Sequence, residues 1–201
     1  MLIPLYFDIA SVPSPTAVET SHTPVIARDR PAPAPTLARG ELHVAFGFTG
    51  GASEWSGDPV GYAALQLGFR LFRFVTPYVG VALGYGRIDQ RLLTRLSIGV
   101  DLGWTFGRFR PHAFVAWVHQ HEESLAAVAQ EPAGAVFGIG LGIRHRAGVH
   151  AGVGFDVVML RRANYDLALG PDVSFMNLTY SSGPQWYYLA AINLSGHFRL
   201  F

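Results

Sequence analysis

From residue 40 onward, bulky apolar side chains recur at every second position in one segment after another. In the run from Trp186 to Leu200 they alternate with Asn193, Ser195 and His197. A period of two is typical of β-strands, because successive side chains of a strand point to opposite faces of the sheet. The pattern predicts strands at residues 42–49, 64–71, 78–85, 96–104, 111–117, 149–157, 167–175 and 186–200.

The chain is strongly apolar but contains no sequence for a membrane-spanning helix. Hydrophobic residues make up 50% of the chain and charged residues 14%. No stretch approaches the roughly 18 consecutive apolar residues that a spanning helix needs. The apolar surface is instead divided among many strands, as in a lipid-facing barrel. Cysteine is absent, which excludes disulfides and thiolate metal sites.

One face of the predicted strands is bulky and apolar, whereas the other mixes glycine with charged and amide side chains. A soluble barrel would place the bulky face inside, and this alternative is open. Two features favour lipid on the bulky face. The apolar bands approach the roughly 9 to 11 residues of a tilted spanning strand, and the polar faces are too small and glycine-rich for a water-exposed surface. We therefore predict an all-β fold, an eight-stranded antiparallel up-and-down transmembrane β-barrel over residues 39–201.

Residues 1–38 have a different composition and carry seven of the thirteen prolines. They are predicted to form a Pro-rich, largely unstructured N-terminal segment before the barrel. The net charge of +1 provides no broad basic surface, so no nucleic-acid partner is expected.

The connections between predicted strands fall into two classes of length. Those at 73–76, 107–110 and 161–166 are short, whereas those at 50–59 and 121–142 are long. Short turns on one rim and long loops on the other predict that the short turns face the periplasm. Pro171 is predicted to cause a bulge or distortion in the seventh strand. Residues 134–146 continue the alternation and are interpreted as loop or as an extension of the sixth strand.

The repeated strands resemble the small eight-stranded barrels of bacterial outer membranes, such as the transmembrane domain of outer-membrane protein A and related barrels. The resemblance covers residues 40–201 and rests on the strand pattern, on Pro77 to Tyr85 and on the terminal Phe201. It implies a bacterial outer-membrane location with a periplasmic N-terminus, contact with outer-membrane lipid and lipopolysaccharide, and insertion by the barrel-assembly machinery. Phe201 departs from the family pattern, because it shares a parity with His197 and Arg199 instead of the apolar residues.

Charged side chains lie on the predicted inner face. The lumen of an eight-stranded barrel is just wide enough to be filled by side chains, and an unpaired charge there would be costly. These charges are therefore predicted to form an interior network, whose members are Arg70, Arg95, Asp101, Asp156, Asp172 and Arg199.

A polar cluster at the end of the predicted fifth strand is a candidate metal site. His119, His121 and Glu122 would approach His145 across a hairpin, and imidazoles at i and i+2 beside a carboxylate can bind zinc or copper. A second interpretation is acid–base chemistry. A third is a polar loop base in which Glu122 or Glu123 pairs with nearby arginines.

Lipid-modifying chemistry is weakly supported by the sequence. Barrels of similar size that deacylate or acylate lipid A use a serine with a nearby histidine, yet no His-x-Ser pair occurs on a predicted strand. Ser124 follows the polar cluster in a loop, and Ser97 and Ser174 lie on inward faces.

The leading functional hypothesis is a non-enzymatic outer-membrane barrel without a cofactor, with a structural, adhesion or envelope-integrity role and a side-chain-filled lumen. One alternative is a lipid-modifying or metal-binding barrel that acts through His119, His121, Glu122 and His145 at the rim. The other alternative is a narrow channel of low conductance through the glycine-lined interior.

Overall fold

A computed structural model of the chain describes residues 40–54, 57–139, 142–179 and 183–200. The predicted Pro-rich segment 1–38 and Phe201 lie outside these residues. The described chain forms eight strands of 12 to 18 residues. They are β1 (Glu41–Ser53), β2 (Pro59–Arg70), β3 (Val75–Gly86), β4 (Arg91–Gly103), β5 (Phe109–Ser124), β6 (Arg144–Arg161), β7 (Tyr165–Thr179) and β8 (Trp186–Arg199).

Each strand pairs antiparallel with the next one in sequence, and β1 pairs with β8, so the sheet closes into an up-and-down barrel. Glu41 is opposite Arg199 and Ser53 is opposite Tyr187 in the closing pair. The predicted eight-stranded antiparallel barrel is therefore confirmed. Both ends of the barrel chain, at Gly40 and Leu200, lie at the rim that carries the short turns. We call this rim the short-turn rim and the opposite one the long-connection rim.

The bulky apolar parity faces outward, as predicted. Val81, Ile98 and Phe48 are 53%, 54% and 64% exposed, although they occupy the middle of regular strands. Exposure of this kind is costly in water and favourable in lipid. Aromatic side chains ring both ends of this apolar band. Phe72, Trp104, Phe106 and Phe109 lie near the short-turn rim, and Tyr85, Trp117, Trp186 and Tyr188 lie near the long-connection rim.

Small residues on the inner face make room for large polar ones. At Gly84, a Cβ atom would lie 2.3 Å from Cδ1 of Tyr62. Only glycine leaves room for this ring beside β3, and Tyr62 is 3% exposed inside the barrel. The glycines of the inner parity therefore determine how much of the lumen the larger side chains can fill.

The β6–β7 ladder is interrupted at Pro171, as the predicted distortion requires, because Phe155 and Asp156 have no partner in this ladder. The register is the same on both sides of this proline, with Gly154 opposite Asp172 and Val157 opposite Leu169. The register shift lies instead between Val158 and Leu160, near the short-turn rim. The proline is tolerated without a register shift, although it offers no N–H to the ladder.

The longest connection contains two short helices, α1 (Leu125–Gln130) and α2 (Pro132–Phe137). The side chain of Ser124 accepts a hydrogen bond from Ala127 N at 3.3 Å and caps α1. Residues 134–146 were predicted to be loop or an extension of the sixth strand. This prediction was wrong for the residues up to Phe137, which are helical, whereas Arg144 does begin β6.

Neither helix in the described ranges has the length and hydrophobicity to cross a membrane.

Candidate functional site

The half of the lumen near the short-turn rim contains a network of buried charges. Arg110 pairs with Asp101 and, at 3.1 Å, with Asp156. His112 Nδ1 lies 2.7 Å from Asp101 Oδ2, and its Nε2 lies 3.1 Å from Asp172 Oδ1. Asp101, Asp156 and Asp172 come from three strands, β4, β6 and β7. Arg110 and His112, on the same face of β5, lie between these carboxylates. We call this set the lower network.

Two further arginines of the predicted interior set lie closer to the short-turn rim. Arg70 is buried and pairs with Glu41 at 3.1 Å. Arg199 is partly exposed and pairs with Asp166 at 2.8 Å. The structure therefore places Arg199 at the edge of the barrel mouth and Arg70 inside it, where His197 Nε2 lies 3.4 Å from Arg70 and 3.5 Å from Arg110.

Arg95 lies between the two halves of the lumen and pairs differently from the other interior arginines. Its guanidinium carbon is 4.7 Å from the centroid of the Tyr62 ring, and its Nη1 is 3.5 Å from Met176 Sδ. Among the described residues, no carboxylate forms an ion pair with it. A cation over an aromatic face is stabilised by the ring quadrupole. The Tyr62 ring therefore compensates in part for the absence of an ion pair to the buried Arg95.

The half of the lumen near the long-connection rim contains a second network around Glu122 and Arg146. Their side chains are 1% and 0% exposed and pair at 2.8 Å. The same Glu122 Oε1 accepts hydrogen bonds from Gln120 at 2.9 Å and from the Tyr187 hydroxyl at 3.3 Å. Arg146 also donates to the carbonyls of Leu178 and Pro184. We call this set the upper network.

The space that remains between these side chains is small. The cavity beside Arg110 and His112 has a volume of about 30 Å³, which is enough for about two water molecules. A cavity of about 180 Å³ lies at the long-connection rim beside Glu122 and Tyr187. A wider recess of about 810 Å³ opens at the short-turn rim next to Arg70 and Arg199.

Three histidine side chains meet on the outer surface at the long-connection rim. His121 is directly opposite His145 in the β5–β6 ladder, and His119 lies two residues along the same face of β5. The ring centroids are 4.7 Å apart for His119 and His121, 4.7 Å for His121 and His145, and 5.7 Å for His119 and His145. One ligand atom of each residue lies within 4.8 Å of the other two. We call this set the histidine cluster.

The structure does not bring Glu122 to the histidine cluster. Side chains at even and odd positions of β5 point to opposite faces, so Glu122 points into the lumen while His119 and His121 point outward. The ion pairs of Glu122 with Arg144 at 3.5 Å and Arg146 at 2.8 Å agree with the alternative of paired acids and arginines.

The histidine cluster lies nearer to the long-connection rim than Trp117, whose ring belongs to the aromatic girdle. Burial lowers the pKa of His119 and of His121, and the neighbouring imidazoles lower it further in both cases. Both shifts favour the neutral imidazole, which is the form that binds metals.

The three serines considered for lipid chemistry either cap a helix or face the interior of the barrel. Ser124 caps α1, and Ser97 is buried on the inner face. Ser174 Oγ lies 3.0 Å from His150 Nε2, with His150 only 9% exposed. This pair faces the interior, away from the lipid on which such enzymes act.

Sequence reasoning missed several central partners of both networks. Arg110, His112 and Gln120 lie on the even positions of β5, which is the inward parity established by the rest of that strand. Arg146 is opposite Gln120 in the β5–β6 ladder. Extending the parity of each strand to both ends would have assigned these residues to the lumen.

Comparisons with known proteins find a likeness of fold. No family model matches the sequence, and a search of curated proteins gives no match. Among solved structures, Neisserial surface protein A covers 80% of this chain and 97% of its own, with a TM-score of 0.55 and 9% identity. The N-terminal β-barrel domain of Pseudomonas aeruginosa OprF covers 79% of this chain and 98% of its own, with a TM-score of 0.46 and 10% identity. Ail, the attachment invasion locus protein of Yersinia pestis, covers 81% and 99%, with a TM-score of 0.46 and 10% identity.

The closed eight-stranded sheet, its outward apolar face and the likeness to Neisserial surface protein A together define the class. The chain has the fold of the small outer-membrane β-barrels.

Proposed function

We propose that this chain is a non-conducting barrel of the bacterial outer membrane that serves a structural role in the envelope. The observation that carries the proposal is the upper network. In it the paired side chains of Glu122 and Arg146, on the neighbouring strands β5 and β6, are almost completely buried, and the Tyr187 hydroxyl of β8 reaches the same carboxylate. A buried ion pair is stable only when further hydrogen bonds satisfy its polar atoms. Tyr187 and Gln120 donate such hydrogen bonds to the Glu122 carboxylate. A lumen occupied in this way offers no continuous path for solutes.

The lower network supports the same function, because it forms a second obstruction along the barrel axis. Arg110 holds two carboxylates, and the adjoining cavity of about 30 Å³ is too small for a hydrated ion. The recess of about 810 Å³ at the short-turn rim is lined by Arg70 and Arg199 and shares no lining residue with this cavity. We infer that solutes which enter the recess stop at the lower network.

The outer surface supports placement in a lipid bilayer with lipopolysaccharide as the neighbouring lipid. The exposed apolar band is bordered by Trp104 at one rim and by Trp117 and Trp186 at the other. Aromatic girdles of this kind mark the two interfaces of a membrane barrel. By analogy with the lengths of the connections in such barrels, we place the short-turn rim in the periplasm.

Single-channel recording tests the closed lumen. Purified barrel reconstituted into planar bilayers is expected to give no discrete conductance steps, because both networks obstruct the axis. A variant that shortens one side chain of each network, Arg110→Ala with Arg146→Ala, is expected to conduct. The single variant Arg110→Ala is the matched control and is expected to stay closed, because the upper network is intact.

Folding of each variant is checked by its mobility shift on unheated gels before recording. Discrete steps from the wild-type barrel would contradict the proposal, and so would a folded double variant as silent as the wild type.

A further inference from the structure

We propose that the histidine cluster is a binding site for one divalent transition-metal ion, held by the imidazoles of His119, His121 and His145. The site lies on the outer surface at the long-connection rim and shares no residue with the two networks of the lumen. It therefore goes beyond the proposed structural function and does not depend on it.

The strand register creates this arrangement. A residue and its neighbour two positions along one strand lie on the same face, and the residue directly opposite lies about 5 Å away on the next strand. His121 and His145 form the direct pair, and His119 occupies the adjacent position on the same face. Backbone hydrogen bonds of the β5–β6 ladder thus fix the three Cα positions before any metal binds.

The distances fit a metal ion with little rearrangement. Zinc–nitrogen bonds of about 2.0–2.1 Å in a tetrahedral site place ligand nitrogens about 3.3 Å apart. The three ligand atoms here lie within 4.8 Å of one another. Side-chain rotation brings them to the required spacing, because all three rings point to the same side of the sheet and the backbone does not need to move.

Neighbouring groups hold two of the rings in place. The Trp117 and His119 rings are stacked, with centroids 5.9 Å apart and an interplanar angle of 23°. Gly138, at the end of α2, lies so close to His121 that a Cβ atom there would be 2.2 Å from the imidazole. Gly138 also has a φ of +72°, which glycine adopts readily. The loop thus covers one side of the His121 ring, and a larger residue at position 138 would displace it.

The donor set selects the class of metal. Three imidazole nitrogens without a carboxylate suit Zn²⁺, Cu²⁺ or Ni²⁺, whereas Ca²⁺ and Mg²⁺ prefer oxygen ligands. Glu122 is excluded from the donor set by its inward direction. His145 is exposed, so a water molecule can occupy a remaining coordination position, as in zinc sites with three protein ligands.

Zinc titration tests the site in the folded full-length barrel, purified in detergent without a histidine tag. Competition with a chromophoric chelator is expected to give one zinc ion per chain. Each of His119→Ala, His121→Ala and His145→Ala is expected to weaken binding at least about tenfold, because removing a direct ligand costs no less than removing its supporting partner. His22→Ala is the matched control, since it removes one imidazole from the segment before the barrel, and its affinity is expected to equal that of the wild type.

A second measurement does not depend on any variant. The electron paramagnetic resonance spectrum of the wild-type barrel with one equivalent of Cu²⁺ is expected to show coupling to several imidazole nitrogens.

Among the three variants, His145→Ala is the least able to disturb folding, because His145 is exposed. The gel mobility shift checks that this variant is folded. The proposal is overturned by absent zinc binding, by less than tenfold weakening in folded His145→Ala, by equal weakening in His22→Ala, or by a copper spectrum without imidazole coupling.

Discussion

Replacing Arg146 with alanine is expected to lower the free energy of unfolding by about 3–5 kcal/mol, the usual cost of removing one partner of a buried ion pair. The variant leaves the Glu122 carboxylate buried with Gln120, Tyr187 and, at 3.5 Å, Arg144 as its remaining partners. It also removes the donors to the carbonyls of Leu178 and Pro184. Reversible urea unfolding in lipid vesicles, followed by tryptophan fluorescence, measures the change.

The double variant Glu122→Leu with Arg146→Met separates charge from packing. It fills a similar volume without a buried charge, so its stability is expected to lie much closer to that of the wild type, as for other ion pairs replaced by apolar residues. If Arg146→Ala and the double variant are equally unstable, the loss of stability does not come from an unpaired Glu122 carboxylate, and the electrostatic explanation is wrong.

Placing an arginine on the outer face at Val81→Arg is expected to cost about 2–4 kcal/mol, because a cation at the bilayer midplane of a membrane barrel loses its hydration. Val81 lies in the middle of β3 and is 53% exposed, with Leu65 and Leu96 as its cross-strand neighbours. The same unfolding experiment in lipid vesicles measures this loss.

Ile88→Arg provides the matched control for this substitution. Ile88 is 61% exposed in the connection between β3 and β4, at the long-connection rim. Near an interface the cost of an arginine falls to about 0–1 kcal/mol. A soluble barrel would tolerate both substitutions equally, so equal stabilities of Val81→Arg and Ile88→Arg would exclude a lipid-facing outer surface.

The barrel could be predicted from sequence because its physical cause is repeated in every strand. Each strand buries small and polar side chains and exposes large apolar ones. A single strand therefore already shows which positions face outward, as Val79, Val81 and Leu83 do in β3. The direction of the bulky face followed from the inner residues, which are too small to form a water-exposed surface. Closure through β1 and β8 followed from the strand count, because a membrane barrel leaves no edge unpaired.

The site was harder to predict, because neighbours in sequence separate in a strand. The run from His119 to Glu123 reads as one polar cluster, yet His119 and His121 point outward and Glu122 points into the lumen. Pairing across strands is also invisible without the register. The contact of His121 with His145 depends on a ladder that spans a long connection, and so does the ion pair of Glu122 with Arg146.

The helices of the β5–β6 connection escaped prediction for a different reason. Each has six residues, which is too short to show a helical period against the apolar alternation around it. Local signals were present in the Ser124 cap and in Pro132 at the start of α2. They mark helix starts but do not distinguish a single turn from a longer helix.

The pairing of β1 with β8 determines when the barrel can become complete. Glu41 and Arg199 are partners, so the last ladder joins the first strand of the barrel to its final one. Seven ladders can form between consecutive strands as the chain becomes available, but this one must wait for the C-terminal strand. Contacts between such distant residues are slow to form. The edges of β1 and β8 therefore stay unpaired until the end of assembly. Until the two strands meet, these edges need protection from pairing with strands of other chains.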